Sequence, residues 1–258
     1  MLIDSHAHLE MKEFDRDREE VIKRAMQAGV DFIVSVGTNL ALSKKAVALA
    51  EKHENIYATV GVHPHDVAKT DKSTYEVLKE LAHKPKVVAY GEIGLDFFRN
   101  ISPQEKQIEL FGRQLELAKE LQLPVIIHDR DAHEQTLRMV SNSSVCRGVF
   151  HCFSGDYDMA KQCIDLGFYI SVPGVVTYDK AKTIQDVARR VPLSSLLLET
   201  DAPYLAPIPQ RGKRNEPSFI IHTAKKVAEL KGLSLEEVAQ ITTQNAKSLF
   251  HIETSGSK

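Results

Sequence analysis

The stretch MLIDSHAHLE, residues 1–10, opens with the apolar β-formers Leu2 and Ile3 and runs into His6-Ala7-His8. Side chains two apart in a strand share a face, so His6 and His8 aim two imidazoles at one point while Ala7 turns away. A strand ending in such a pair is half of a metal site, because neutral imidazole suits divalent transition metals. Taken alone, the pair reads equally well as two core histidines with satisfied hydrogen bonds. The rest of the chain decides.

With the first strand read as Leu2–Ser5, seven more apolar runs follow: Phe32–Gly37, Ile56–Val62, Val87–Glu92, Pro124–His128, Gly148–His151, Phe168–Val172 and Ser195–Glu199. Several are near-continuous Val/Ile/Leu, the composition of parallel strands covered on both faces. Amphipathic segments separate them. Residues 16–28 close on Gly29 as a C′ glycine, 41–54 follow the second strand, and 73–82 stop before Pro85. The segment 103–121 has Ser102 as N-cap and Pro103 at its first position. Residues 132–140, 157–166 and 180–190 fill the next gaps, and 216–230 and 234–250 close the chain. Ser234 and Glu237 have capping-box spacing.

Eight strands alternating with helices predict an α/β fold, a (β/α)8 TIM barrel in one domain over residues 1–252, with its site at the carboxyl ends of the strands. A doubly wound open sheet is the alternative, but no GxGxxG turn follows the first strand. Residues 253–258 are polar and read as a disordered tail.

An apolar fraction of 43% over 258 residues supports a sizeable core. No run approaches the roughly 18 apolar residues of a membrane helix. The chain opens on a strand-like segment with no basic leader, which predicts a cytoplasmic protein. The three cysteines, Cys146, Cys152 and Cys163, form no CxxC pair, as expected in a reducing compartment. A net charge of −2 makes no general case for nucleic-acid binding, so any phosphate recognition must be local. No stable protein partner is legible.

The polar residues fall at the strand ends. They are His6 and His8, His63-Pro64-His65, Glu92 to Asp96, His128-Asp129-Arg130, His151 to Gly155, and Glu199 to Tyr204. His53, His83, His133, His222 and His251 lie elsewhere, in helices or loops. Each strand-end group alone has an ordinary capping explanation. Six of eight strands delivering His, Glu or Asp at one end do not, since unbound they leave buried polar atoms unpaired. Four histidines with two carboxylates suit one or two divalent ions.

The elements DSHAHLE, VGVHPH, GEIGLDF, PVIIHDRDA, GVFHCFSG and LLLETDAPYLAP, followed by RGKRNEP, span residues 4–217. Together they resemble the TatD family of metal-dependent deoxyribonucleases, within the amidohydrolase-like barrel superfamily. The resemblance implies two divalent metal ions. His6, His8 and Asp201 would hold one, His128 and His151 the other, and Glu92 would bridge them. Many superfamily relatives use a carboxylated lysine at strand four. Glu92 stands there, which points toward TatD and away from the phosphotriesterase and dihydroorotase types. The family also implies 3′→5′ exonuclease action on single-stranded DNA ends.

On this reading Asp201 and Glu92 are the catalytic carboxylates, with Asp201 accepting the proton of the attacking water. Glu199 is expected to orient a ligand histidine, and His63 to touch substrate. Ser154, in the loop Phe153-Ser154-Gly155 before a helix, is a candidate phosphate rest. Lys213 and Arg214, in the basic loop Arg211–Arg214, are candidates to hold flanking phosphates. Phe97, Phe98, Tyr178 and Tyr204 are placed to stack on unpaired bases. The metal stays open among magnesium, manganese, zinc and nickel. Two rivals remain open: a same-fold hydrolase of amide, lactone or ester bonds, and a non-catalytic, metal-loaded nucleic-acid-binding protein.

Overall fold

Apolar runs buried on both faces become eight parallel strands, hydrogen-bonded in sequence order. They are β1 (Leu2–Ala7), β2 (Val30–Val36), β3 (Ile56–Val60), β4 (Val87–Asp96), β5 (Val125–Arg130), β6 (Gly148–Phe150), β7 (Phe168–Val172) and β8 (Leu196–Leu198). The structure, a computed structural model of the chain, describes residues 1–252. The expected tail, 253–258, lies outside the described residues. The expected barrel forms. The segment after the last strand returns to the first through an isolated parallel bridge between Ala7 and Ala202. Two backbone bonds flank that bridge, His8 N–H to Ala202 O at 2.7 Å and Asp201 N–H to His6 O at 2.9 Å.

The helices are α1 (Arg18–Gln27), α2 (Leu40–Lys52), α3 (Lys72–Ala82), α4 (Gln104–Glu120), α5 (His133–Asn142), α6 (Tyr157–Asp165), α7 (Lys182–Arg190), α8 (Ile220–Lys231) and α9 (Leu235–Phe250). Gly29 follows α1 at φ +85°, the left-handed geometry a C′ glycine supplies. Ser234 and Glu237 form the capping box of α9. Ser102 does not cap α4. The N-cap is Pro103, with no side-chain cap, while Ser102 Oγ donates to His65 O at 2.9 Å. The Ser102 hydroxyl is bonded to the loop after β3 instead of the helix start.

β4 runs four residues past its expected end at Glu92, to Asp96, and is buried throughout. Gly94 permits this. It sits at φ +147°, where a Cβ would fall 1.9 Å from His128 O. Only glycine lets β4 pass this close to β5, and that approach sets Glu92 beside His128. Among the described residues no helix is long and apolar enough to cross a membrane. The three cysteines are free.

Candidate metal centre

Six donor side chains converge at the carboxyl ends of the strands. His6 and His8 come from the end of β1, Glu92 from β4, His128 from β5, His151 from just past β6, and Asp201 from just past β8. All except the partly buried His128 are buried.

Glu92 divides them into two groups. Its Oε2 lies 3.5 Å from His6 Nε2 and 3.9 Å from His8 Nε2. Asp201 Oδ1 lies 3.4 Å from His8 Nε2 and 3.9 Å from His6 Nε2. The two imidazole nitrogens are 3.3 Å apart. An ion held at about 2.0–2.2 Å by four ligands in a tetrahedron separates its ligand atoms by about 3.3–3.6 Å. Three of these five separations fall in that range, and the other two exceed it by a few tenths of an ångström. Glu92 Oε1 faces the second group, with His128 Nδ1 and His151 Nε2 each 2.8 Å away and 3.4 Å from each other. The first group has the donor types and spacing of a divalent-cation site, and the second offers the same donor types around the other oxygen of Glu92.

The electrostatics are those of a site built for positive charge. Burial alone would raise the Glu92 carboxyl. The imidazoles of His151 and His63, with hydrogen bonds from His128 and His151, hold it well below the usual range. Asp201 behaves alike, its burial outweighed by His8 and His6.

A further layer of partners orients these side chains. His8 Nδ1 bonds Val36 O at 2.9 Å and lies 3.4 Å from Glu10. His128 Nε2 faces Asp96 Oδ2 at 3.3 Å, and the same oxygen holds His65 at 2.8 Å. Glu199 Oε1 accepts the Cys152 N–H at 2.6 Å and lies 3.7 Å from His151 Nδ1. Asp4 accepts from the Thr200 amide and hydroxyl and from the His6 amide, fastening β1 to the Asp201 loop. Burial pushes its carboxyl up to about 8. Sequence reasoning passed over Asp4, Glu10, His65 and Asp96 as partners. A signal was present: Asp4, His6, His8 and Glu10 are ionisable residues at every second position of the opening stretch.

His63 reaches the centre, its Nε2 3.4 Å from Glu92 Oε1. Burial pushes its imidazole down to about 4, so the ring is neutral. Its Nδ1 accepts the His65 N–H at 3.1 Å, which leaves the proton on Nε2. His63 stands beside Glu92 and His128, and the three lie close enough together to share an ion.

The expected phosphate contacts fare differently. Ser154 lines the cleft above the centre, but α6 is capped by the Asp156 carboxylate and the Phe153 N–H bonds Ser171 O. That helix start therefore meets an incoming phosphate with negative charge. Arg214 forks onto Asp17 at 2.8 and 2.7 Å, and Lys213 bonds Gln210. Neither lines the cleft. The cations that do line it are Arg99, Arg130, Lys180 and Lys182. Among the described residues none of these four forms an ion pair. The cleft encloses about 810 Å3, a common size for a small-ligand site.

The model of the TatD-related DNase family matches residues 3–251. An uncharacterized metal-dependent hydrolase, YabD of Bacillus subtilis, is 44% identical over 98% of this chain and all of its own. The 3′-5′ ssDNA/RNA exonuclease TatD of Salmonella typhimurium is 36% identical over 97% of this chain and 99% of its own. The crystal structure of YjjV, a TatD homologue from Escherichia coli, superposes with a TM-score of 0.93 at 36% identity, covering 98% of each chain. With barrel, donor cluster and relatives in agreement, the chain belongs to the TatD family of metal-dependent hydrolases.

Proposed function

We propose that the chain cleaves phosphodiester bonds of nucleic acid, as a deoxyribonuclease working from the 3′ end of single strands. The observation that carries this is the cleft wall. Arg99, Arg130, Lys180 and Lys182 lie unpaired around a buried donor cluster in a chain of net charge −2. Unpaired cations beside a metal centre suit a polyanion better than a neutral amide or lactone. The exonuclease activity named for the Salmonella relative supports the same reading.

His6, His8 and Asp201 would hold one divalent ion, His128 and His151 a second, and Glu92 would meet both. Bound there, the ions supply a Lewis acid for the phosphoryl oxygen and acidify a water. The protein does the rest. Glu92 keeps the two donor groups in register. Asp201, at the cleft floor, accepts the proton of the attacking water. The hydrogen bonds to Val36 and Asp96 set the rings of His8 and His128. Work in the cytoplasm belongs to this reading, and the free thiols are consistent with it.

The test is turnover of end-labelled single-stranded DNA by metal-stripped protein, with magnesium, manganese, zinc and nickel added back singly. Stepwise release of nucleotides from the 3′ end, restored by metal and lost in His128→Ala, is expected. Hydrolysis confined to a parallel panel of amides, lactones and esters would overturn the reading. Binding of DNA without any hydrolysis would leave the non-catalytic alternative.

A further inference from the structure

Eight large apolar side chains are exposed among the described residues, and three of them, Ile101, Tyr204 and Leu205, line the cleft, with Phe98 and Ile208 on the same two loops. Phe98 and Ile101 follow β4, while Tyr204, Leu205 and Ile208 follow β8. In a ring of eight strands in sequence order, β4 and β8 stand across from each other. The mouth therefore has two apolar jaws on opposite sides. Lys180 and Lys182 follow β7, and Arg130 ends β5, so the cations stand on the arc between the jaws.

Both jaws are braced. The Arg130 guanidinium stacks 4.1 Å over the Phe98 ring, and the Phe97 N–H bonds Arg130 O at 2.9 Å. On the other side, Tyr178 Oη donates to Ala206 O at 2.8 Å, and the Ile208 N–H bonds Thr177 Oγ1 at 2.9 Å. Phe98 is nonetheless 58% exposed and Tyr204 49%. Solvent-facing rings beside cations free of ion pairs suit a partner with flat apolar faces and negative charge.

We propose that the jaws clamp unstacked nucleobases, Phe98 and Ile101 on one side of the scissile bond and Tyr204 on the other, while Arg130, Lys180 and Lys182 hold the phosphates between them. This rests on the nucleic-acid reading above and adds the means of selection. The clamp takes single strands because paired bases keep their faces covered by their neighbours. It reads stacking faces rather than hydrogen-bonding edges, so it is tolerant of sequence.

The test is equilibrium binding, by fluorescence anisotropy with the metal-loaded protein. Three cleavage-resistant phosphorothioate ligands of equal length are compared: a thymidine oligomer, an abasic oligomer and a duplex. The thymidine oligomer should bind about tenfold or more tighter than the abasic one, the range expected for base–aromatic stacking, and also tighter than the duplex. In Phe98→Ala and Tyr204→Ala the ratio of base-bearing to abasic affinity should fall severalfold, and in the double variant approach one. Equal binding of the two single strands by the wild type, no binding of either, or an unchanged ratio in the double variant would overturn the clamp. A preserved ratio alongside no hydrolysis of unmodified DNA would overturn the nuclease reading and leave the clamp standing.

Discussion

Glu199 is placed beside one histidine from each donor group. Three buried atoms near it lack a hydrogen-bond partner: His6 Nδ1, His151 Nδ1 and Glu199 Oε2. The rings of His6 and His151 stack 3.9 Å apart, and donor atoms of all three residues lie within 4.8 Å of one another. A neutral imidazole has one lone pair. If Nε2 turns it toward an ion, Nδ1 carries a proton, so two N–H groups face one carboxylate. On the proposed reading Glu199 would orient one histidine from each group. Glu199→Gln should weaken metal binding at both positions, by about 10–100-fold, read by calorimetry against a competing chelator. An unaltered isotherm would reduce Glu199 to a hydrogen-bond acceptor for the Cys152 amide. Neutralising Lys180 and Lys182 should weaken DNA binding and flatten its dependence on salt, whereas Lys213→Ala should do neither. A binding assay across salt concentrations separates the two expectations.

Helix α4 does more than cover the barrel. Gln107 accepts the Asp96 N–H at 2.8 Å and donates to Asp96 O and Ser102 O. Gln114 accepts the Val62 N–H at 2.9 Å and donates to Val62 O at 3.0 Å. Both amides are buried, and together they fix the backbone beside His63 and Asp96. Gln114→Leu leaves two buried backbone groups unpaired and should cost about 2–4 kcal/mol, measured by urea unfolding. A loss below about 0.5 kcal/mol, within the range of ordinary surface substitutions, would contradict this role for Gln114. At this scale the sequence was readable in kind and loose at the ends. Parallel strands buried on both faces are continuous apolar runs, so all eight were visible. Charged Glu92 looked like the end of β4, because in a barrel the top of a strand turns polar side chains inward while its backbone continues to pair.

Across the whole molecule, the legible part of the site was the part written in one stretch at a time. His6 and His8, or Glu92, announce themselves locally. The cation wall does not, because Arg99, Arg130, Lys180 and Lys182 belong to separate loops that only barrel closure gathers. The reverse misled the reading of Arg211–Arg214. The run is consecutive, but the partner of Arg214 is Asp17, 197 positions away. Arg24 likewise forks onto Glu216 at 2.6 Å. These pairs latch α1 to the loop after β8, the two ends of the ring. Burial alone would raise Glu216, yet Arg24 and the Ser218 hydroxyl hold its carboxyl below the ordinary 4.5. A depressed folded pKa stabilises above the unfolded value and loses that contribution as pH falls through the folded one. The wild type should therefore lose more stability than Glu216→Gln between neutral pH and pH values below about 4.5. Urea midpoints at the two pH values measure this, and parallel losses would mean the latch contributes nothing.

On the proposed function the two oxygens of Glu92 would serve separate cations. Calorimetric titration of metal-stripped protein with manganese tests it most directly. Two ions per chain are expected in the wild type, and weakened binding of both in Glu92→Gln. One ion per chain, or a Glu92→Gln isotherm matching the wild type, would contradict it.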